Sequence, residues 1–208
     1  RVSVDDALGF ILASESRDIA IACCSAVGRY LKLSDRRMDA IFARAPVRVR
    51  RWRPLVCRLD DSHGETFVRL WLGDAGIPWM SQPAVLDVGR LDGKVAPNTF
   101  VEIDGGQHDP TWTGGDPTNW EHDHDRDTTV VIGGGNVLRY TYRQLYTDWP
   151  RVLAAISRAR SDDLELCARR LRHPSLPRAV NRKRRSSSPD VTSDAIRTPE
   201  EREFLRFR

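Results

Sequence analysis

A chain of 208 residues has room for one domain of ordinary size plus a smaller element or tail, and 40% hydrophobic with 30% charged residues suits a globular fold rather than a wholly disordered one. No run of about 18 apolar residues occurs, which excludes a membrane-spanning helix, and no signal peptide is visible. The net charge of +4 is unevenly spread: from Arg172 onward ten Lys or Arg face five Asp or Glu, leaving 23 against 24 in the preceding 171 residues.

The basic excess therefore belongs to the C-terminal tail. Only Lys32, Lys94 and Lys183 are lysines; the dominance of Arg reflects GC-rich codon usage as readily as phosphate binding. Cys23, Cys24, Cys57 and Cys167 form no CxxC pair, so a cysteine zinc site is not expected and a reduced, cytoplasmic setting is.

In chain order, apolar spacing predicts three opening helices. One carries Ala7, Phe10, Ile11 and Ala13; the next Ile19, Ala20, Cys23, Cys24 and Val27; the third Met38, Ile41 and Phe42, with Pro46 ending the block. Residues 44–58 then hold six Arg around Trp52 and no acid. Such a stretch suits a phosphate backbone or, equally, a solvated connector. Ser62 and Glu65 form an S-x-x-E capping box ahead of Phe67, Leu70 and Trp71 at helical spacing, stopped by Gly76 and Pro78. Strands are predicted at 84–86, 88–92 and 99–104, a helix near 119–132, a strand at 136–140 and a helix over 150–160. That order makes an α/β sandwich around a small mixed sheet. Beyond Leu171 the pattern dissolves, and NRKRRSSSP at 181–189 reads as a basic, largely disordered tail.

Residues 92–127 carry the chemistry. From Glu102 to Asp127 eight acids (Glu102, Asp104, Asp109, Asp116, Glu121, Asp123, Asp125, Asp127) accompany one base, Arg126. Converging carboxylates repel one another and hold protons unless a cation joins them, and hard oxygen donors suit Mg²⁺, Mn²⁺ or Ca²⁺. Phe100-Val-Glu-Ile-Asp104 alternates apolar and acidic residues, so Glu102 and Asp104 share one face of a strand ending at Gly105–Gly106. Asp92 ends a neighbouring predicted strand. His108, four residues beyond Asp104, is placed to move a proton beside these acids. His122 and His124 alternate with acids, but i and i+2 do not share a helical face, so no transition-metal site is expected there.

Val88-Gly-Arg-Leu-Asp92, Val101-Glu-Ile-Asp-Gly105, His108, Asp123-x-x-Arg126-Asp127 and Val137-Leu-Arg139-Tyr-Thr-Tyr-Arg-Gln144, with Ser62-His-Gly-Glu65 opening the series, follow one another in order. Together they resemble the nucleases similar to the very-short-patch repair endonuclease, a branch of the PD-(D/E)XK restriction-endonuclease-like superfamily. The resemblance implies that Asp92 is the main metal ligand and that Glu102 or Asp104 completes the acidic site. It makes His108 the acid/base residue and Glu65 a supporting acid acting through water. Arg126 and Arg139 would orient acids or the scissile phosphate. Alternatively, Glu65 only caps its helix and Arg139 only pairs with a buried acid. Asp104 stands where the wider superfamily has Lys, so a lysine-assisted mechanism is not expected, and His108 or a second metal would supply what Lys does.

The division expected from these readings is a helical segment at 1–45, an Arg-rich connector at 46–61, a restriction-endonuclease-like nuclease domain at 62–160 and the tail at 161–208. In larger relatives an antitoxin-like winged-helix segment precedes the nuclease domain. Here it would lie upstream of Arg1, since 1–45 reads only as connecting helices. The implied activity is metal-dependent hydrolysis of DNA phosphodiesters, with Mg²⁺ or Mn²⁺, in repair or defence. The rival is a non-catalytic nucleic-acid-binding or toxin–antitoxin-type regulatory module.

Overall fold

The computed structural model describes residues 1–104 and 128–172. It opens with α1 (Val4–Ser14), α2 (Arg17–Tyr30) and α3 (Asp35–Arg44), then a short α4 (Val47–Arg50) and a 3-10 turn at Arg53–Leu55. Ser3 and Ser34 cap α1 and α3, their hydroxyls accepting from the backbone N–H groups of Asp6 and Arg37. The buried stripe of α1 is shifted from the expected one: Leu8 and Leu12 are its buried residues while Phe10 is exposed. In α2, Ala20 and Cys24 are buried and Val27 packs on the core as expected, whereas Ile19 is exposed. Met38, Ile41 and Phe42 are buried as the spacing predicts.

The Arg-rich stretch is neither an extended track nor a free linker. Val49 is fully buried, and Trp52, Leu55 and Val56 pack on the same helical core. Its Arg side chains fasten it down. Arg48 donates to the Ala13 carbonyl at 2.7 Å, Arg50 to that of Ala45 at 3.0 Å, and Arg58 to that of Leu33 at 2.8 Å. Arg53 binds Asp39 at 2.6 Å and Asp35 at 3.1 Å.

Helix α5 (His63–Asp74) joins this core to the sheet. Leu70 points into the N-terminal cluster, whereas Val68 and Leu72, one turn apart, pack on the sheet. The sheet has order β1 (Met80–Ser81), β4 (Gly93–Ala96), β5 (Thr99–Asp104), β6 (Asn136–Thr141); β1, β4 and β5 are antiparallel and β5–β6 is parallel. A separate two-stranded ribbon pairs β2 (Ala84–Val85) with β3 (Gly89–Arg90). After β6 come α6 (Tyr142–Thr147) and α7 (Trp149–Arg172).

The mixed α/β class is as expected. Of the helix predicted at 119–132 the described part, 128–132, is helical; the rest lies outside the described residues. Two short strands, β1 and β4, were not anticipated. The strand predicted over 88–92 instead breaks after Arg90, so Asp92 lies in the link between ribbon and sheet.

Alternation along β5 sorts its residues onto two faces. Val101 and Ile103 meet Val68, Leu72, Val152 and Ile156 from the helices. Phe100 lies opposite, with Leu91, Val130 and Val137. Each fully buried Val, Leu or Ile contributes about 1.5–3 kcal/mol, so this double burial fixes the strand's register.

Helix α7 runs twelve residues past the expected boundary at 160. Within the extension Asp163 is 9% exposed and accepts from the Asn98 N–H at 2.7 Å, the Asn98 amide at 2.9 Å and the Thr99 hydroxyl at 2.9 Å, pinning α7 to the β4–β5 turn. Burial pushes its pKa up, but the hydrogen bonds from Asn98, Thr99 and Cys167 outweigh burial and hold it below the usual range. The remaining tail, 173–208, lies outside the described residues.

A depressed folded-state pKa contributes stability that is present above the unfolded value and lost as pH falls through the folded one. Asp163→Ala is therefore expected to cost about 2–4 kcal/mol at pH 7, through lost bonds and unsatisfied partners. The deficit should shrink as pH falls below about 4, where the unfolded chain takes up a proton that the folded carboxylate resists. Urea denaturation at the two pH values checks both parts, and an equal deficit at both would contradict the charge argument.

Candidate functional site

Two elements bring acids to one end of the sheet. Strand β5 supplies Glu102, 7% exposed, and Asp104, on the face opposite Val101 and Ile103. The parallel register sets Glu102 beside Arg139 and Asp104 beside Thr141. Asp104 and Arg139, two positions apart on that face, form an ion pair at 2.8 Å. The pairing foreseen for Arg139 thus exists.

Asp92 reaches the same place from outside the strand. The β4–β5 ladder ends at Gly93↔Val101, because the chain then departs toward the ribbon. The Ile103 N–H, two residues along and aimed at the same side, has lost its strand partner. Asp92 Oδ2 accepts from it at 2.7 Å, a side chain standing in for backbone. Gly93 leaves room for the Trp79 ring at this point: a Cβ there would fall 2.0 Å from it.

Burial raises the pKa of Asp92, opposed by the Ile103 hydrogen bond; the charge of Asp104 raises it further, while a hydrogen bond with the Glu102 carboxyl and the charge of Arg139 lower it. Asp92 therefore lies on the same side as Glu102 and within its hydrogen-bonding reach. Two carboxyls sharing one proton is the usual outcome when like charges are crowded without a cation.

Glu65 arrives from the first turn of α5. The Ser62 hydroxyl caps the Glu65 N–H at 3.1 Å, but the reciprocal half of the expected capping box is displaced by one residue. Glu65 Oε2 accepts from the Asp61 N–H at 2.9 Å and from the Gln82 amide at 2.7 Å. Burial, then the charge of Asp92, pushes its pKa up to about 7, against hydrogen bonds from Gln82 and Ser62. Glu65 thus caps and also faces the acids.

Sequence reasoning missed Gln82, which lies in a left-handed turn (φ 53) and bridges toward Glu65, and buried Asp60, held by Ser81 at 2.7 Å, Thr66 at 3.0 Å and Arg69 at 2.9 Å. Only the polar run Ser81–Gln82 hinted at either. His108 and Arg126, like His122 and His124, lie outside the described residues.

The donor chemistry, carboxylate oxygen throughout, fits a hard divalent cation. Among the described residues, however, no group of three or more His, Cys, Asp or Glu side chains is arranged to hold one. Asp92, Glu102 and Asp104 are neighbours, but one oxygen of Asp92 is committed to Ile103 and Asp104 to Arg139. Also among the described residues, no helix is long and apolar enough to cross a membrane. No protein-family model, curated protein or solved structure matches the chain.

The raised pKa of Glu65 carries a pH signature. Its folded pKa lies above the unfolded value, so the folded state binds the extra proton between about pH 4.3 and pH 7. Its contribution is most favourable below that window and is lost as pH rises through it, by an amount on the order of 3–4 kcal/mol at most. Glu65→Gln should flatten the stability profile from pH 4.5 to 7.5 and raise metal-free stability at pH 8. Denaturant midpoints across that range test this; an unchanged slope would show that Glu65 is not the titrating group.

Proposed function

We propose that the chain is a metal-dependent DNA endonuclease with a restriction-endonuclease-like α/β sandwich, akin to the very-short-patch repair nucleases. The observation that carries this reading is the meeting of Asp92, Glu102, Asp104 and Glu65 at one end of β5, with the pKa values of Asp92 and Glu65 raised partly by their neighbours' charge. Beyond the bonds these acids make within the fold, crowding buried carboxylates is costly unless a cation joins them. The connectivity also supports it: a helix, an antiparallel group, a parallel strand and a covering helix in that order.

Asp92 with Glu102 or Asp104 would hold Mg²⁺ or Mn²⁺, whose charge lowers the pKa of a bound water and neutralises the phosphate. Arg139 holds Asp104 in an ion pair at 2.8 Å. Glu65, near neutrality in its proton affinity, can take or give a proton at the rim. His108 and Arg126 keep the roles of general acid/base and phosphate orientation that the resemblance gives them.

A second reading, a non-catalytic nucleic-acid-binding or regulatory module, is favoured by one observation. The three carboxylates are not gathered as a ligand set among the described residues, and Arg139 already partners the acid that replaces Lys.

Plasmid incubated with the protein and Mg²⁺ or Mn²⁺ should be nicked or linearised. Asp92→Asn should abolish cutting yet keep or strengthen DNA binding, because it removes a negative charge facing phosphates. His108→Ala should slow cleavage by about 10²–10⁴-fold with Mn²⁺ affinity nearly intact, as measured by calorimetry beside single-turnover assays. Binding without cutting by the wild type would hand the function to the second reading.

A further inference from the structure

One surface outside the acidic cluster gathers aromatic rings. Along α5, His63, Phe67 and Trp71 repeat at i, i+4, i+8, so their rings form a row along one edge of the helix. Tyr142 and Tyr146 of α6 and Trp149 of α7 answer them one for one. Ring centroids are 4.8 Å apart for His63–Tyr142, 6.1 Å for Phe67–Tyr146 and 4.9 Å for Trp71–Trp149, which makes three rungs. Successive rings stand 5.8 and 5.7 Å apart along α5 and 6.4 Å apart along α6. Trp71, Tyr142 and Trp149 rest on the core of the sheet, yet none of the six rings is fully buried, and His63 and Tyr146 are exposed. A contiguous band of rings left in solvent is the mark of an interaction site.

The row starts at the acidic end of the sheet. Tyr142 follows Thr141, which is in register with Asp104, and His63 precedes Glu65 by two residues. From His63 to Trp71 it runs about 12 Å along the helix axis. There it ends in an open cavity of about 410 Å³ lined by Trp71, Asp74, Leu145, Tyr146 and Trp149.

Charge and spacing select the occupant. Arg17 holds both oxygens of Asp74, at 2.8 and 2.5 Å, and Asp18 is held by Arg17 and the Trp71 indole. The acids beside the rings are therefore engaged, which disfavours an organic cation in this aromatic cavity. Arg143, exposed and without an ion pair among the described residues, lies between Tyr142 and Tyr146 and suits an anion. Flat rings repeating beside a guanidinium match a polymer of planar groups joined by phosphates. The step of about 6 Å along the row exceeds the 3.4 Å per base of a duplex strand, so a strand that follows it is unpaired and unstacked.

We propose that this row binds single-stranded DNA, with bases stacked on the rings, Arg143 on a phosphate and one base seated in the cavity between Trp71, Tyr146 and Trp149. The proposal deepens the nuclease reading and rests on it for the fate of the strand. The substrate is then DNA with an unpaired segment leading to the acids.

The test is the anisotropy of a labelled oligothymidylate of about ten nucleotides, titrated with the full chain in EDTA. A duplex of equal length should compete weakly. Tyr146→Ala should weaken binding about fivefold or more, whereas Tyr146→Phe, which keeps the ring, should bind as the parent does. Arg143→Ala should lower the slope of log K against log salt by about 0.7. Both side chains are exposed, so the thermal transition should hold in each variant. Tetramethylammonium should compete no better than sodium; preferential competition would give the cavity to an organic cation and overturn the proposal. Parental affinity in Tyr146→Ala, equal competition by the duplex, tighter binding of oligouridylate, or no binding of oligothymidylate by the parent would overturn it too. Failure of plasmid cleavage beside intact oligothymidylate binding would sink the nuclease reading and leave the single-strand site standing.

Discussion

The acidic end of the sheet depends on a single hydrogen bond from the Ile103 N–H to Asp92 at 2.7 Å. Strand β5 is central, bonded to β6 on one side and to β4 on the other, and β4 runs out before β5 does. An unpaired buried N–H would cost about 1–3 kcal/mol, so some acceptor must follow the ladder's end. A carboxylate fills that place, and it is thereby held among Glu102, Asp104 and Glu65. The same bond that finishes the sheet brings Asp92 beside other acids, but it is burial first, and the charge of Asp104 after it, that raises its pKa despite a good donor.

The neighbouring groups answer part of that charge. Arg139 answers Asp104, and Gln82 with the Asp61 N–H answers Glu65. Asp92 and Glu102 lie within hydrogen-bonding reach of each other, and burial with the charge of Asp104 raises the pKa of Asp92. Burial and the charge of Asp92 likewise push Glu65 up to about 7.

How far the sequence reveals this differs element by element. Strand β5 was legible because its alternation of apolar and acidic residues maps directly onto two faces, and α3 because Met38, Ile41 and Phe42 repeat at helical spacing. Strands β1 and β4 were not: two and four residues are too short for any period. The position of Asp92 outside a strand followed from β4, and so was missed with it. Asp163 escaped because its partners Asn98 and Thr99 lie more than sixty residues away, and nothing local marks a charged residue as buried. The Arg-rich stretch showed its composition but not its bonding, since backbone carbonyls of Ala13 and Leu33 leave no mark in sequence. The proximity of Glu65 to Asp92 came only from the family resemblance; spacing alone offers no route across 27 residues.

Helix α5 gives these separate features a common frame. Its Leu70 is buried with α1–α4, its Val68 and Leu72 with the sheet, and its first turn carries Glu65. The Arg17–Asp74 pair, at 2.5 Å, and the hydrogen bond from the Trp71 indole to Asp18, at 2.8 Å, lock α5 to α2 on the outside. A helix packed on both sides in this way resists hinge motion, because opening either interface exposes Leu or Val side chains at about 1.5–3 kcal/mol each. The N-terminal helical core and the acids at the end of β5 are thus parts of one scaffold.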